Sequence, residues 1–264
     1  MSAAGLVIAF FIPYTVLGAG LVPVAPNAAV RDTANVRLAE PKSTSGNGAS
    51  GKSPLLDRAT RPFGGRGDRT PPERLPTWNP IRVGERHEME VSYLGFPGLQ
   101  VKMEVLPNEN HEKTGRPSFH VRAHAVHSKL VGLFFTIDSS VDSWFDQRGL
   151  FSYKLELRQN QSNLIRTAVE THDFTSAVTR YFSRWNKPGQ SAQQAELSAP
   201  ITPFAQDSFS AFYFLRTLPL ATGDQVRIPV VSEGRMIEVQ ATVLERETID
   251  IYAGEMRAIP VRLE

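Results

Sequence analysis

Two groups of residues have the types and the regular spacing from which a chemical site is commonly built. His120, His124 and His127 stand four and three positions apart, and Asp138, Asp142 and Asp146 stand four apart. On a helix, either set would share a face suited to metal binding or proton transfer. On a strand, four residues cover about 13 Å, too far for two ligands of one ion. Phe119, Val121, Ala123 and Ala125 alternate with the histidines, and that period of two argues for a strand. The histidines therefore read as a solvated β face. The aspartates lack the glycine and alternating oxygens of a calcium loop and read as polar positions on an outer face, where only cross-strand neighbours could complete a site.

Gly46 to Ser53 (GNGASGKS) matches the phosphate-loop pattern GxxxxGK[ST]. That loop works only between a buried strand and a helix, whose N-terminus and backbone N–H groups converge on phosphate. Here RLAEPKST precedes it and Pro62 follows closely, so the context fails on both sides. Arg66-Gly67-Asp68 is an adhesion tripeptide too short to carry weight in a Gly/Arg-rich stretch. No GxSxG elbow, HExxH pair or recognised Ser/His/Asp set appears. The chain has no cysteine, which excludes disulfides, thiolate metal sites, a thiol nucleophile and a lipidated cysteine. The expectation is a non-enzyme with no catalytic residue, no metal and no cofactor.

Charge narrows the partners. The 29 basic and 27 acidic residues are interspersed through the folded part, whereas a nucleic-acid footprint needs a clustered basic stripe; no nucleic acid is expected.

These residues must be held by elements, and the chain divides into three. From Met1 to Val30 there is no charged side chain, and GLVIAFFIPYTVLGAGLVPVAP is long enough to engage export machinery. Pro13, Pro23 and Pro26 interrupt a spanning helix, and small residues at Gly18 to Gly20 and Ala28-Ala29 suit cleavage. Residues 1–30 are thus predicted to be a signal peptide, with an N-terminal anchor as the alternative, although no basic residue precedes the apolar run. Residues 31–80 are rich in Pro, Gly, Ser, Thr and Arg without sustained periodicity and read as a disordered linker.

Residues 81–264 carry the period of two. A hairpin is predicted around Gly95 to Gly98. Further strands are predicted near 118–127, 133–145, 151–158, 164–171, 177–185, 225–231, 235–245 and 256–263, with a polar loop at 186–200. One helix is predicted at about 207–218, where Asp207 is a good N-cap. The fold class is mainly β: an antiparallel curled sheet, barrel or half-barrel, with one helix packed on it and a disordered N-terminal tether before it. Its aromatic residues are the candidate ligand-binding set, lining an apolar cavity or simply filling the core. They are Phe134, Phe135, Trp144, Tyr153 and Trp185 on the strands, and Phe209, Phe212 and Tyr213 on the helix.

The hairpin EVSYLGFPG, the strand SSVDSWFD and the segment QDSFSAFYFLRTLPLATGDQVRIPV together resemble the bacterial family known only as domain of unknown function 3108, over roughly Gly84 to Glu264. The resemblance implies export, a mostly antiparallel β fold and no established activity. It also implies a few more strands past a point like Pro260, so the domain is expected to lack its last strands. The resulting expectation is a periplasmic or envelope-associated binding module for an apolar ligand (a hydrophobic small molecule or lipid) or an envelope protein. A protein-interaction module using a sheet edge is the alternative, and a hydrolase-like enzyme the third.

Overall fold

Alternating apolar positions interrupted by turn residues make the chain reverse on itself repeatedly, and the result is a meander. The computed structural model describes residues 30–32, 34–36, 73, 74, 76, 78–93, 96–251 and 254–264. The predictions on residues 1–29 and on the phosphate-loop and adhesion motifs lie outside them. Two three-residue strands, β1 (Val30–Asp32) and β2 (Ala34–Val36), pair with each other, and β1 also pairs with the first long strand.

The main sheet runs β3 (Arg86–Tyr93), β4 (Phe96–Asn110), β5 (Pro117–His127), β6 (Ile137–Asp146), β7 (Ser152–Gln161), β8 (Leu164–Asp173), β9 (Val178–Asn186) and β10 (Gln193–Pro200). Each strand pairs antiparallel with the next in sequence, and β10 does not return to β3. The sheet is open, so the half-barrel alternative holds over the closed barrel. Bulges at Val91/Ser92, Leu106/Glu109 and Trp144/Phe145 interrupt the ladders; such insertions bend a strand and sharpen its twist.

After β10 the chain forms α1 (Ser208–Arg216), then β11 (Gln225–Ser232), β12 (Arg235–Val243), β13 (Glu247–Ile251), β14 (Gly254–Ala258) and β15 (Val261–Leu263). Strands β11, β12 and β15 make a second, three-stranded sheet, and β13 pairs with β14. The β11–β12 reversal takes only Glu233 and Gly234, both at positive φ (53° and 74°), as a two-residue hairpin of this hand requires.

The helix starts where predicted. Asp207 accepts hydrogen bonds from Phe209 N and Ser210 N, and Ser210 Oγ accepts one from Asp207 N. Nine residues are too few for a stable isolated helix, and seven of these nine are buried, so packing makes it. Phe209, Phe212, Tyr213 and Leu215 meet Met103, Val105, Phe119, Val121 and Phe145 from the meander and Val226, Ile228 and Val243 from the second sheet. Each such buried side chain contributes roughly 1.5–3 kcal/mol.

Three boundaries differ from the prediction. Residues 133–136 belong to a loop with a 3-10 turn at Val131–Leu133. The polar stretch 186–200 contains β10, an exposed edge strand whose residues lack apolar alternation because no core faces most of them. The first hairpin closes earlier than read, with Tyr93 opposite Phe96.

Candidate functional site

The register of β5 on β6 sets Phe119 opposite Phe145 and Arg122 opposite Asp142, so the apolar members share the inner face and the polar ones the outer. On that outer face His120 Nε2 lies 2.7 Å from Asp142 Oδ1 and Nδ1 lies 2.9 Å from Glu109 Oε1. Trp144 stacks on the imidazole at 4.3 Å and donates its indole N–H to Glu109. Arg122 donates to Asp142 at 2.8 Å, and His124 Nε2 lies 2.6 Å from Asp138.

This corrects two expectations. His120 is only 5% exposed, because Trp144 from the neighbouring strand roofs it. Asp142 and Asp146 are buried as well, held in ion pairs that a single-strand view does not contain. Burial works against the Asp142 carboxylate, yet hydrogen bonds from His120 and Arg122 outweigh it and hold Asp142 below the usual carboxylate range. Both ring nitrogens of His120 face carboxylates, leaving neither for a substrate. Among the described residues no three metal-ligating groups converge.

Asp146 organises the β6–β7 turn. Arg116 grips it with Nε and Nη2 at 2.7 and 2.9 Å, Tyr153 donates its hydroxyl at 2.7 Å, and the N–H groups of Arg148 and Gly149 complete the shell. Burial opposes ionisation, but these donors keep Asp146 low. His111 stacks on Tyr153 at 4.0 Å.

The inner face is divided. Its β4 to β6 part is apolar and faces α1, whereas its β7 to β9 part carries buried Gln159, Glu170, His172, Thr179 and Ser183. Asp207, fully buried at the helix start, accepts hydrogen bonds from Ser143 Oγ and Ser152 Oγ at 2.6 Å each. Glu170 accepts the Gly234 N–H at 2.6 Å, and Arg166 pairs with Glu233 at 2.7 Å; together they fasten the β11–β12 hairpin to the meander. Gly234 is required there, since a Cβ would lie 2.7 Å from that of Leu197. His172 is buried with neither ring nitrogen hydrogen-bonded, and burial lowers it to about 4, so it stays neutral.

Burial, reinforced by the nearby Asp207 carboxyl and only partly offset by the Gly234 N–H, pushes Glu170 up to about 7 from 4.5. A carboxyl raised on folding contributes stability fully below its unfolded value and loses it as pH rises through the folded one. Each tenfold change in proton affinity is worth about 1.4 kcal/mol, so roughly 3 kcal/mol is at stake. Urea midpoints should therefore fall as pH rises from about 4.5 to about 7 and level off above that, and Glu170→Gln, which keeps an acceptor for Gly234 N, should flatten that decline. An equally steep decline in Glu170→Gln would show that the titration lies elsewhere.

At the end of the meander where β5 turns into β6, apolar residues face solvent. Leu130 is 47% exposed, Leu133 75% and Phe134 85%. The loop is nevertheless held: Gly132 N donates to Ser128 O at 2.9 Å, Phe135 N to Val131 O at 2.8 Å, and Thr136 N to Ser162 Oγ at 2.7 Å. Beside it lies a cavity of ≈ 310 Å³ bordered by Thr136, Asn160, Ser162, Ile165, Asn186 and Lys187.

The predicted aromatic set does not meet in one place. Phe209, Phe212 and Tyr213 join Phe145 in the core. Trp144 belongs to the outer-face network, and Tyr153 is buried with Phe151 and Phe204 while its hydroxyl donates to Asp146. Phe134 and Phe135 lie on the β5–β6 loop, with Phe135 half-buried, and Trp185 is half-buried on β9. Sequence reading missed the exposed loop because Leu133, Phe134 and Phe135 have the apolar composition of a strand and join the one predicted at 133–145, whereas the strand begins at Ile137.

A search of curated proteins finds no match, and neither does a search of solved structures. The family described as Protein of unknown function (DUF3108) matches residues 88–264, a span that takes in the meander from β3 onward, the capped helix and the second sheet, and the chain belongs to that family.

Proposed function

We propose that this protein is an exported, non-catalytic binding module of the cell envelope that holds an apolar component at the β5–β6 end of its half-barrel. The observation that carries the reading is the hydrogen-bonded loop presenting Leu133 and Phe134 to solvent. Exposed apolar side chains on an ordered loop are a binding feature, because a disordered or polar loop would connect two strands at lower cost. Export rests on the uncharged apolar segment from Met1 to Val30. The non-catalytic part is supported by the histidines: His120 has both nitrogens engaged by carboxylates, and His172 is sealed inside.

The test uses the neutral probe N-phenyl-1-naphthylamine with the full chain. Replacing Leu133 and Phe134 together by Ser should cut the fluorescence enhancement to about half or less. The paired Met236→Ser/Ile237→Ser variant, altering apolar residues that are also exposed, should leave it unchanged. Equal enhancement in all three proteins would end the reading.

A second reading, a protein-interaction module, is favoured by β10, which has a strand neighbour on one side only and is mostly exposed. Such an edge can accept an added strand, and in-cell cross-links from β10 instead of the loop would support it.

A further inference from the structure

The loop end of the meander has a charge character of its own. Residues 126–138, 158–166 and 184–194 make up the described β5–β6, β7–β8 and β9–β10 connections with their flanking strand ends. They carry five basic residues, Lys129, Arg158, Arg166, Arg184 and Lys187, against one acid, Asp138. Arg158 and Arg166 are spent on Glu156 and Glu233. Lys129, Arg184 and Lys187 have no ion pair among the described residues. At the opposite end, residues 109–117, 146–151 and 173–178 hold four acids, Glu109, Glu112, Asp146 and Asp173, against Lys113, Arg116 and Arg148.

The shape is as particular as the charge. Gly132 lets the loop fold tightly onto His127, since a Cβ there would stand 2.4 Å from the His127 ring. The His127 ring is in turn fixed by the Ile137 N–H at 3.0 Å. Leu133 and Phe134 therefore project as a fixed apolar wedge. Thr136, at the base of the wedge, is shared with the cavity that Asn160, Ser162, Asn186 and Lys187 line with hydrogen-bond donors. Ile165, on the cavity rim, is 59% exposed.

We infer that this end of the half-barrel docks on an anionic lipid surface, with Leu133 and Phe134 inserted among acyl chains and Lys129, Lys187 and the cavity donors engaging lipid phosphate. The inference rests on the binding-module reading above and names its occupant. A projecting wedge fits a deformable bilayer, whereas a folded protein partner would need a groove to receive it. An unpaired basic rim beside an apolar tip matches the interfacial zone, where acyl chains and negative headgroups lie within a few ångströms of each other.

The absence of cysteine allows a reporter at one chosen position of the full chain, which separates the loop from any contribution of the apolar N-terminal segment. Leu133→Cys carries a nitrobenzoxadiazole label, and Glu112→Cys at the opposite end carries the same label as control. Vesicles of phosphatidylcholine containing about one third phosphatidylglycerol should raise the Leu133 label's emission at least about twofold and shift it to the blue. The Glu112 label should not respond. Lys129→Glu/Lys187→Glu should weaken the response to these vesicles by roughly tenfold or more in lipid concentration, with little change on pure phosphatidylcholine. Unchanged circular dichroism would show that the variants fold.

An unresponsive Leu133 label on vesicles that nonetheless carry the protein would overturn the inference, since binding would then run through another segment. So would a response to inorganic phosphate alone, or a response that follows protein concentration without vesicles, the mark of a second copy on the wedge. In those cases the naphthylamine result decides the parent reading separately: if apolar-probe binding still depends on Leu133 and Phe134, the module stands and only the lipid is lost.

Discussion

Asp207→Ala is expected to destabilise the fold by about 3–5 kcal/mol, a large part of the roughly 5–15 kcal/mol margin of a typical domain. The side chain has no solvent exposure and its two oxygens serve three elements. Oδ1 caps α1 through the N–H groups of Phe209 and Ser210, at 2.7 and 2.8 Å, while Oδ2 accepts the hydroxyls of Ser143 on β6 and Ser152 on β7. An N-cap alone is worth about 1 kcal/mol. Stranding buried hydroxyls adds about 1–3 kcal/mol each at sites that water cannot reach.

Asp207→Asn separates charge from geometry. Burial pushes the Asp207 carboxyl upward from its ordinary value, with the two serines and two backbone N–H groups only partly opposing it. A neutral amide of the same shape keeps an acceptor for the helix and a donor for the serines. Its cost in urea midpoint should be less than half that of Asp207→Ala. Equal costs would mean that the ionised carboxylate itself is required.

Asp146→Ala is the second large effect, again about 3–5 kcal/mol, by a different route. Here the carboxylate is held ionised by Arg116, Tyr153 and two backbone N–H groups. Among the described residues, removing it leaves the Arg116 guanidinium with Glu73 at 3.6 Å as its one remaining ion pair. The pH sign is opposite to that of Glu170. A carboxyl lowered on folding stabilises above its unfolded value, and that contribution disappears as pH falls through the lower folded value. Acid unfolding followed by near-ultraviolet circular dichroism should therefore be steep in the parent protein and shallower in Asp146→Ala. An unchanged acid limb would show that Asp146 is not a main contributor.

Arrangements along one strand or one turn were legible without coordinates. The period of two placed Phe119, Val121, Ala123 and Ala125 on one face, and DSFSAFYFLR announced its own cap. Arrangements that depend on which strand lies beside which were not. His120 looked like a solvent-facing residue until β6 brought Trp144 over its ring. The buried polar residues of β8 and β9 alternate like the outer face of any strand, and nothing local distinguishes Glu170 inside from Glu156 outside. Strand β10 lacked a signal because its stability comes from backbone pairing with β9, to which side-chain identity contributes little. The apolar wedge was misread for the converse reason: its residues have the composition of a strand, and only the loop's own hydrogen bonds show that it is not one.

The strictly sequential order of β3 to β10 has a kinetic consequence. Every pairing in the meander joins neighbours in the chain, so each new strand closes only a short loop and assembly can proceed by successive addition. The cover for Met103, Val105, Phe119 and Phe145 comes instead from Phe212, Tyr213 and Val226, which emerge from the ribosome only after the whole meander. Until they arrive the half-finished sheet presents a bare apolar surface, the type of intermediate that chaperones shield and that aggregates when left alone. The moment of greatest vulnerability in this protein's synthesis is therefore fixed by its topology, just before α1 lands.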